Sequence, residues 1–212
     1  MTPPVKPPVG LRSEQADQTR TRILDAALEV FERSGYGGAR IDEIAAVAGV
    51  AVPTVYKGFT NKRTLLTGVV ARAMTGADLA DDVEEQDWWQ EQLREPDPAR
   101  QLRLIARNAR RIYGRAAVVL EVLRAAAPLD PAIAATWDDV FAQRLRRSRR
   151  TAENLVAKAG TRSRLDVPET AVTLLSLTRP ELYTEQIGLG RTAGQYERWL
   201  ADVLVASLLT DS

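Results

Sequence analysis

The chain has no cysteine and no histidine among its 212 residues. Without cysteine there can be no disulfide and no thiolate chemistry. Without histidine, the commonest general base and the commonest metal ligand are both missing, so a histidine-dependent catalytic triad or an ordinary zinc site cannot be built. No apolar run approaches the roughly 20 residues that a membrane-spanning helix needs. The N-terminus does not show the charged-then-apolar pattern of a secretory signal, so the cytoplasm is the expected compartment. There is no paired acidic motif and no phosphate-cradling glycine loop. These absences argue against an enzyme, and neither metal nor cofactor is expected. The net charge of +1 identifies no partner. Its slight cationic excess lies in the first 75 residues, the direction expected of a part that faces DNA.

The pattern that is present is helical throughout. Apolar residues recur at helical spacing, no strand alternation occurs, and the chain is expected to be all-α with about nine helices. Residues 1–15 are proline-rich and aperiodic, and read as a disordered arm. A helix is expected from Ala16 to Ser34, ended by Gly35. Asn61 is a good N-cap for a fourth helix, expected to fade near Leu79 and to connect two domains, residues 16–78 and 79–212. Asp97-Pro98 and Asp130-Pro131 are start signals, with a break expected near Gly114 in the first of those helices. Pro168 and Pro180 open further helices, and Thr192 with Gln195 makes a capping box for the last.

The stretch from Ile41 to Thr60, IDEIAAVAGVAVPTVYKGFT, reads as two short helices joined by a tight turn. Gly49 can take the left-handed conformation that ends the first helix. Pro53 fits the first turn of a second helix beginning near Ala51 or Val52. Ile41, Ile44, Ala45, Val47, Ala48, Val50 and Val55 supply an apolar face that locks the pair. Thr54, Tyr56 and Lys57 are left facing outward, the arrangement by which a helix-turn-helix presents a recognition helix to the major groove.

On residues 19–66, TRTRILDAALEVFERSGYGGARIDEIAAVAGVAVPTVYKGFTNKRTLL, the chain resembles the TetR/AcrR family of transcriptional repressors. The resemblance implies an N-terminal three-helix helix-turn-helix domain and a C-terminal helical domain for ligand binding and dimerisation. It also implies a homodimer on a near-palindromic operator of double-stranded DNA, released by a small hydrophobic or aromatic effector. The DNA-facing residues it implies are Arg40, Ala51, Val52, Pro53, Thr54, Tyr56, Lys57 and Lys62, with Lys62 near the phosphate backbone. The sequence departs from the family pattern in three places. Gly58 replaces a tyrosine, Ala51 replaces a capping serine, and Arg40 replaces a serine or threonine that would cap the second helix. The competing reading is a helical interaction adaptor that has lost specific DNA reading.

In the C-terminal part, Asn108, Tyr113, Trp137, Phe141 and Tyr183 are candidates for the ligand pocket, with Trp88 and Trp89 beside them. Each aromatic, taken singly, also reads as ordinary core. Arg144, Arg146, Arg147, Arg149 and Arg150 read as a solvated face paired with acids, the alternative being a second nucleic-acid site. Leu174, Leu177, Trp199, Leu200, Val203 and Leu204 are assigned to a dimer interface, the alternative being intrachain core.

Overall fold

The computed structural model describes residues 9–76, 83–158 and 165–209, with side chains from residue 14 onward in the first of these segments. Ten α-helices are found among the described residues, and no β-strand. They are α1 (Val9–Gly38), α2 (Ile41–Ala48), α3 (Val52–Gly58), α4 (Lys62–Thr75), α5 (Asp87–Arg94), α6 (Pro98–Ala126), α7 (Pro131–Val156), α8 (Val167–Leu177), α9 (Pro180–Gly188) and α10 (Ala193–Leu208).

The all-α expectation holds, with one helix more than expected. The extra one is α5, which an acidic, weakly periodic sequence concealed. Its buried Trp88, Trp89 and Gln92 make one narrow apolar face on an otherwise charged turn of chain. The first helix begins at Val9, so residues 9–15 are helical where an arm was expected, while residues 1–8 lie outside the described residues. Gly35 breaks α1 as foreseen, at φ 63 and ψ 176, but helical geometry resumes through Gly38.

Leu79, near which the fourth helix was expected to fade, lies outside the described residues, and the helix closes before it. It stops at Thr75, where Gly76 takes φ 81 and its amide bonds the Arg72 carbonyl. The guanidinium of Arg115 lies 3.3 Å from where a Cβ of residue 76 would sit, and its Nε donates to the Ala73 carbonyl. That cation satisfies carbonyls a helix end leaves open. The break expected at Gly114 is absent: α6 is continuous, about 43 Å long at 1.5 Å per residue. Helix propensity loses about 1 kcal/mol at a glycine, and the packing around α6 outweighs it.

Helix α6 is the spine. Helices α1, α4, α9 and α10 all pack on it, and α1 and α4 also pack on each other, while α8 packs on α7. Its buried residues, Leu102 to Ala126, form the centre of a core that runs without interruption from Phe31 and Leu65 to Tyr196 and Leu204. A smaller cluster of Val83, Trp88 and Trp89 adjoins α6 at Ile112.

Candidate nucleic-acid interface and effector cavity

The reading head is built on Ile44, Ala45, Ala48 and Val55, all buried between α2, α3 and α1. Gly49 caps α2 at φ 64, and its amide and that of Val50 bond back into the helix. Val47, expected in the locking face, is 43% exposed. It lies off the face shared by the buried Ile44, Ala45 and Ala48 and so turns to solvent.

On α3, Val55 points inward while Tyr56 is 50% exposed and Lys57 and Gly58 are exposed. Ala51 and Pro53 are exposed, and Thr54 and Val52 half-buried. Neither α2 nor α3 has a side-chain N-cap, as the alanine and arginine at those positions implied. Other contacts hold these helices. The Arg40 guanidinium forms a two-pronged pair with Asp42, 3.0 and 2.9 Å, which holds the Asp42 carboxyl below the usual carboxylate range. Arg33 of α1 reaches Glu43 of α2 at 2.5 Å. Arg20 of α1 lies over the Phe59 ring at 4.4 Å and donates to the Gly58 carbonyl at 3.3 Å, closing the C-terminal end of α3.

Lys62 occupies a different place from the one implied by resemblance. Its ammonium turns inward and donates to the carbonyls of Tyr36 (2.7 Å) and Ala39 (3.0 Å), above the Tyr36 ring at 4.6 Å. Burial lowers its pKa from the ordinary lysine value. It therefore serves as a clamp on the end of α1, where carbonyls need donors. Arg40, Val52, Tyr56 and Lys62 line one shallow concavity between α2, α3 and the start of α4, whereas Ala51, Pro53, Thr54 and Lys57 lie outside it.

In the body, a cavity of about 100 Å³ lies between α5, α6, α7 and α8. Asn108 and Tyr113 line it, as do Trp88 and Trp89. Trp137, Phe141 and Tyr183 do not. Phe141 is 47% exposed, Trp137 packs half-buried on the main core, and Tyr183 lies behind the wall. There Tyr183 is tilted against Tyr113 (centroids 6.4 Å) and edge-on to Tyr196 (4.9 Å). The Asn108 amide donates to the Trp88 carbonyl (3.2 Å) and to the side chain of buried Gln92 (3.0 Å). The Tyr113 hydroxyl donates to the Thr178 carbonyl. Burial pushes the Tyr113 pKa up, and nearby Arg144 offsets part of that. A wider cleft of about 550 Å³ between α4 and α7 adjoins the cavity, sharing Met74, Val83 and Arg147 with it.

The arginine run on α7 divides. Arg149 pairs with Glu153 and Arg150 with Glu84 on the outside. Arg144 and Arg147 turn toward the cavity, with Ser148 and Thr151. Positions 144, 147, 148 and 151 share one helical face. That spacing was present in the sequence as a signal, but the density of arginine hid it.

The interface assignment also divides. Leu174, Leu200 and Leu204 are 2%, 0% and 0% exposed within the single chain, so they are intrachain core and have no surface left for a partner. A helix has more than one apolar face, and the stripe on α10 was read as one. Leu177, Trp199 and Val203 remain half-buried, on helices that also carry Val172, at 58% exposure.

A short helix locked on its neighbour, with an aromatic hydroxyl and a cation outward, makes residues 41–58 a helix-turn-helix reading head. The family model "Bacterial regulatory proteins, tetR family" matches residues 23–69, and this N-terminal region is similar to that family. Among curated relatives, the transcriptional repressor NicS of Pseudomonas putida is 37% identical over 81 residues, 34% of this chain and 38% of its own length. The regulator SrpR of Pseudomonas putida is 47% identical over 57 residues, 27% of each chain. The chain thus spans well under half the length of these relatives. The curated relatives are transcriptional regulators, not enzymes. In fold, the chain is similar to FadR from Bacillus subtilis, solved with stearoyl-CoA, at TM-score 0.68 and 19% identity over 88% of this chain and 98% of that one. A Mesorhizobium loti protein assigned to the TetR family gives TM-score 0.68 and 22% identity over 92% and 99%. Among the described residues, no helix is long and apolar enough to cross a membrane.

Proposed function

We propose that this protein is a cytoplasmic, homodimeric transcriptional repressor that binds a near-palindromic operator and is released by a small ligand. Residues 16–78 form its DNA-binding domain and residues 79–212 its ligand-binding and dimerisation domain. The observation that carries the reading is α3, held on α2 by buried Val55 while Tyr56 and Lys57 face solvent. Thr54, Tyr56 and Lys57 are the direct contacts, and Ala51, Val52 and Pro53 the helix start that approaches the backbone. Arg40 reaches a phosphate by exchanging Asp42 for it. Lys62 acts indirectly, by fixing α1 against α4.

Two recognition helices spaced by about one turn of DNA need a rigid dimer behind them. The partly exposed Leu177, Trp199 and Val203, with Val172 and Leu189, support such a face on α8–α10. The cavity against α6, whose other surfaces carry α1 and α4, supports a ligand that acts by favouring one of two conformations.

The test is fluorescence anisotropy with the DNA upstream of the protein's own coding region, against shuffled DNA, across a salt series. Specific binding that weakens steeply with salt is expected. Equal binding to both DNAs, or none, would instead favour the helical adaptor.

A further inference from the structure

We infer that the cavity between α5, α6, α7 and α8 takes a compact aromatic carboxylate, with Arg144 as its anion partner. The inference rests on the ligand-responsive reading above for its biological sense, but its chemistry stands on the cavity itself.

Arg144 is half-buried, in a wall that includes no aspartate or glutamate among the described residues. Its bonds go to the carbonyls of Leu175 (3.2 Å) and Thr178 (3.1 Å), neutral acceptors at the end of α8. A guanidinium carries five donors in a planar fork, and a carboxylate accepts two at once. Charge-assisted bonds of that kind are roughly twice as strong as bonds between neutral groups. A cation held by uncharged groups, these two carbonyls and the Tyr113 hydroxyl, is therefore poised to exchange them for an anion. Drawing an anion into a place with apolar walls is costly unless a cation meets it there, and Arg144 is in that position.

The body of the ligand follows from the remaining walls. Trp88, Trp89, Ile105, Ile112 and Leu174 are flat or aliphatic. The Nε1 of Trp89 is buried without an acceptor, a deficit that a ligand oxygen would relieve. The volume, about 100 Å³, is somewhat below the ~150 Å³ of a cavity known to hold benzene. A single ring enters as the walls give way slightly, and its substituents extend toward the cleft at Met74 and Val83. Binding also has a structural consequence. As Arg144 turns to the carboxylate, the end of α8 loses its donor, and α8 is one of the helices on which the dimer face lies.

The test uses the full chain without DNA, following tryptophan fluorescence and calorimetry with matched probes: benzoate against benzamide, and phenylacetate against phenylacetamide. The acids are expected to bind at least about tenfold tighter than the amides, the size of one charge-assisted hydrogen bond. Arg144→Met should remove that preference, the acids losing about tenfold or more while the amides lose little, and Arg144→Lys should restore part of it. Thermal melts of both variants separate loss of binding from loss of folding, since Arg144 also caps α8. If acid and amide bind alike in the unaltered protein, if none of the four binds, or if Arg144→Met keeps the preference, the inference is overturned. Failure here leaves the DNA reading intact, because that reading is measured on operator DNA alone. Failure to bind DNA leaves the cavity result intact for the same reason.

Discussion

The two helices that would meet DNA and the four longest helices of the body are secured in opposite ways, while the short α5 and α9 of the body also start without a side-chain cap. In the body, α8 and α10 each begin with a reciprocal capping box, Asp166 with Glu169 and Thr192 with Gln195, and Asp97 and Asp130 cap α6 and α7. In the head, only α4 is boxed, by Asn61 and Thr64. The pair that would meet DNA, α2 and α3, starts at Arg40 and Ala51 with no side-chain cap. Those helices depend on clamps from elsewhere: Arg33 on Glu43, Arg20 on Phe59, Lys62 on the end of α1. A boxed helix carries its boundary in its own sequence. An uncapped one takes its boundary from the packing, which leaves its exposed face free to vary with the operator.

The largest effect should come from the face that packing leaves free. Tyr56→Ala should weaken operator binding by about tenfold or more, the order of a lost base or phosphate contact, while leaving the thermal midpoint unchanged. Anisotropy with a parallel melt checks it, and an unaltered affinity would mean that α3 is not the recognition helix. Next comes the clamp. Lys62→Met leaves the carbonyls of Tyr36 and Ala39 without their donor and should cost about 1–3 kcal/mol in urea denaturation. If instead stability is kept and DNA of every sequence binds more weakly with a shallower salt slope, Lys62 is a phosphate contact and not a clamp.

Smaller effects sharpen the contrast between boxed and unboxed helices. Thr192→Ala should cost about 1 kcal/mol, whereas Ala51→Ser, which supplies the missing cap, should add a comparable amount or somewhat less. The smallest effect is expected at Tyr196, fully buried with no partner for its hydroxyl. Tyr196→Phe should be neutral or slightly stabilising at neutral pH. Its signature is at high pH. Burial raises the pKa of Tyr196 and of Tyr113 above the ordinary 10.0. A raised folded-state value gives a contribution that is complete below the unfolded value and lost as pH climbs through the folded one. Stability should therefore fall progressively as pH rises above about 10, and fall less in Tyr196→Phe.

How much of this was legible in the sequence follows from where each signal resides. The Gly49 cap, the Asn61 cap, the aspartates before Pro98 and Pro131, and the Thr192 box are local chemistry, and each lies where it was read. Gly114 misled because tertiary contacts override local propensity: α6 is packed by several helices, and the close of α4 at Gly76 likewise depends on Arg115 from α6. Lys62 misled because a family position says which residue is present, not which way its amine turns. Leu200 and Leu204 misled because an apolar stripe cannot say whether its partner is a second chain or α6. Arg144 and Arg147 were hidden inside a run whose average character is solvated.

The spine has a consequence for how the molecule comes into being. Synthesis proceeds from the N-terminus, so the reading head leaves the ribosome first. Yet α1 and α4 lay their apolar sides on α6, which is complete only when Ala126 has emerged. Until then the nascent head shows water a seam it will later bury. Its maturation is set by a helix that belongs to the other half of the chain, and a gene cut after Gly76 would release a head with that seam permanently open to aggregation.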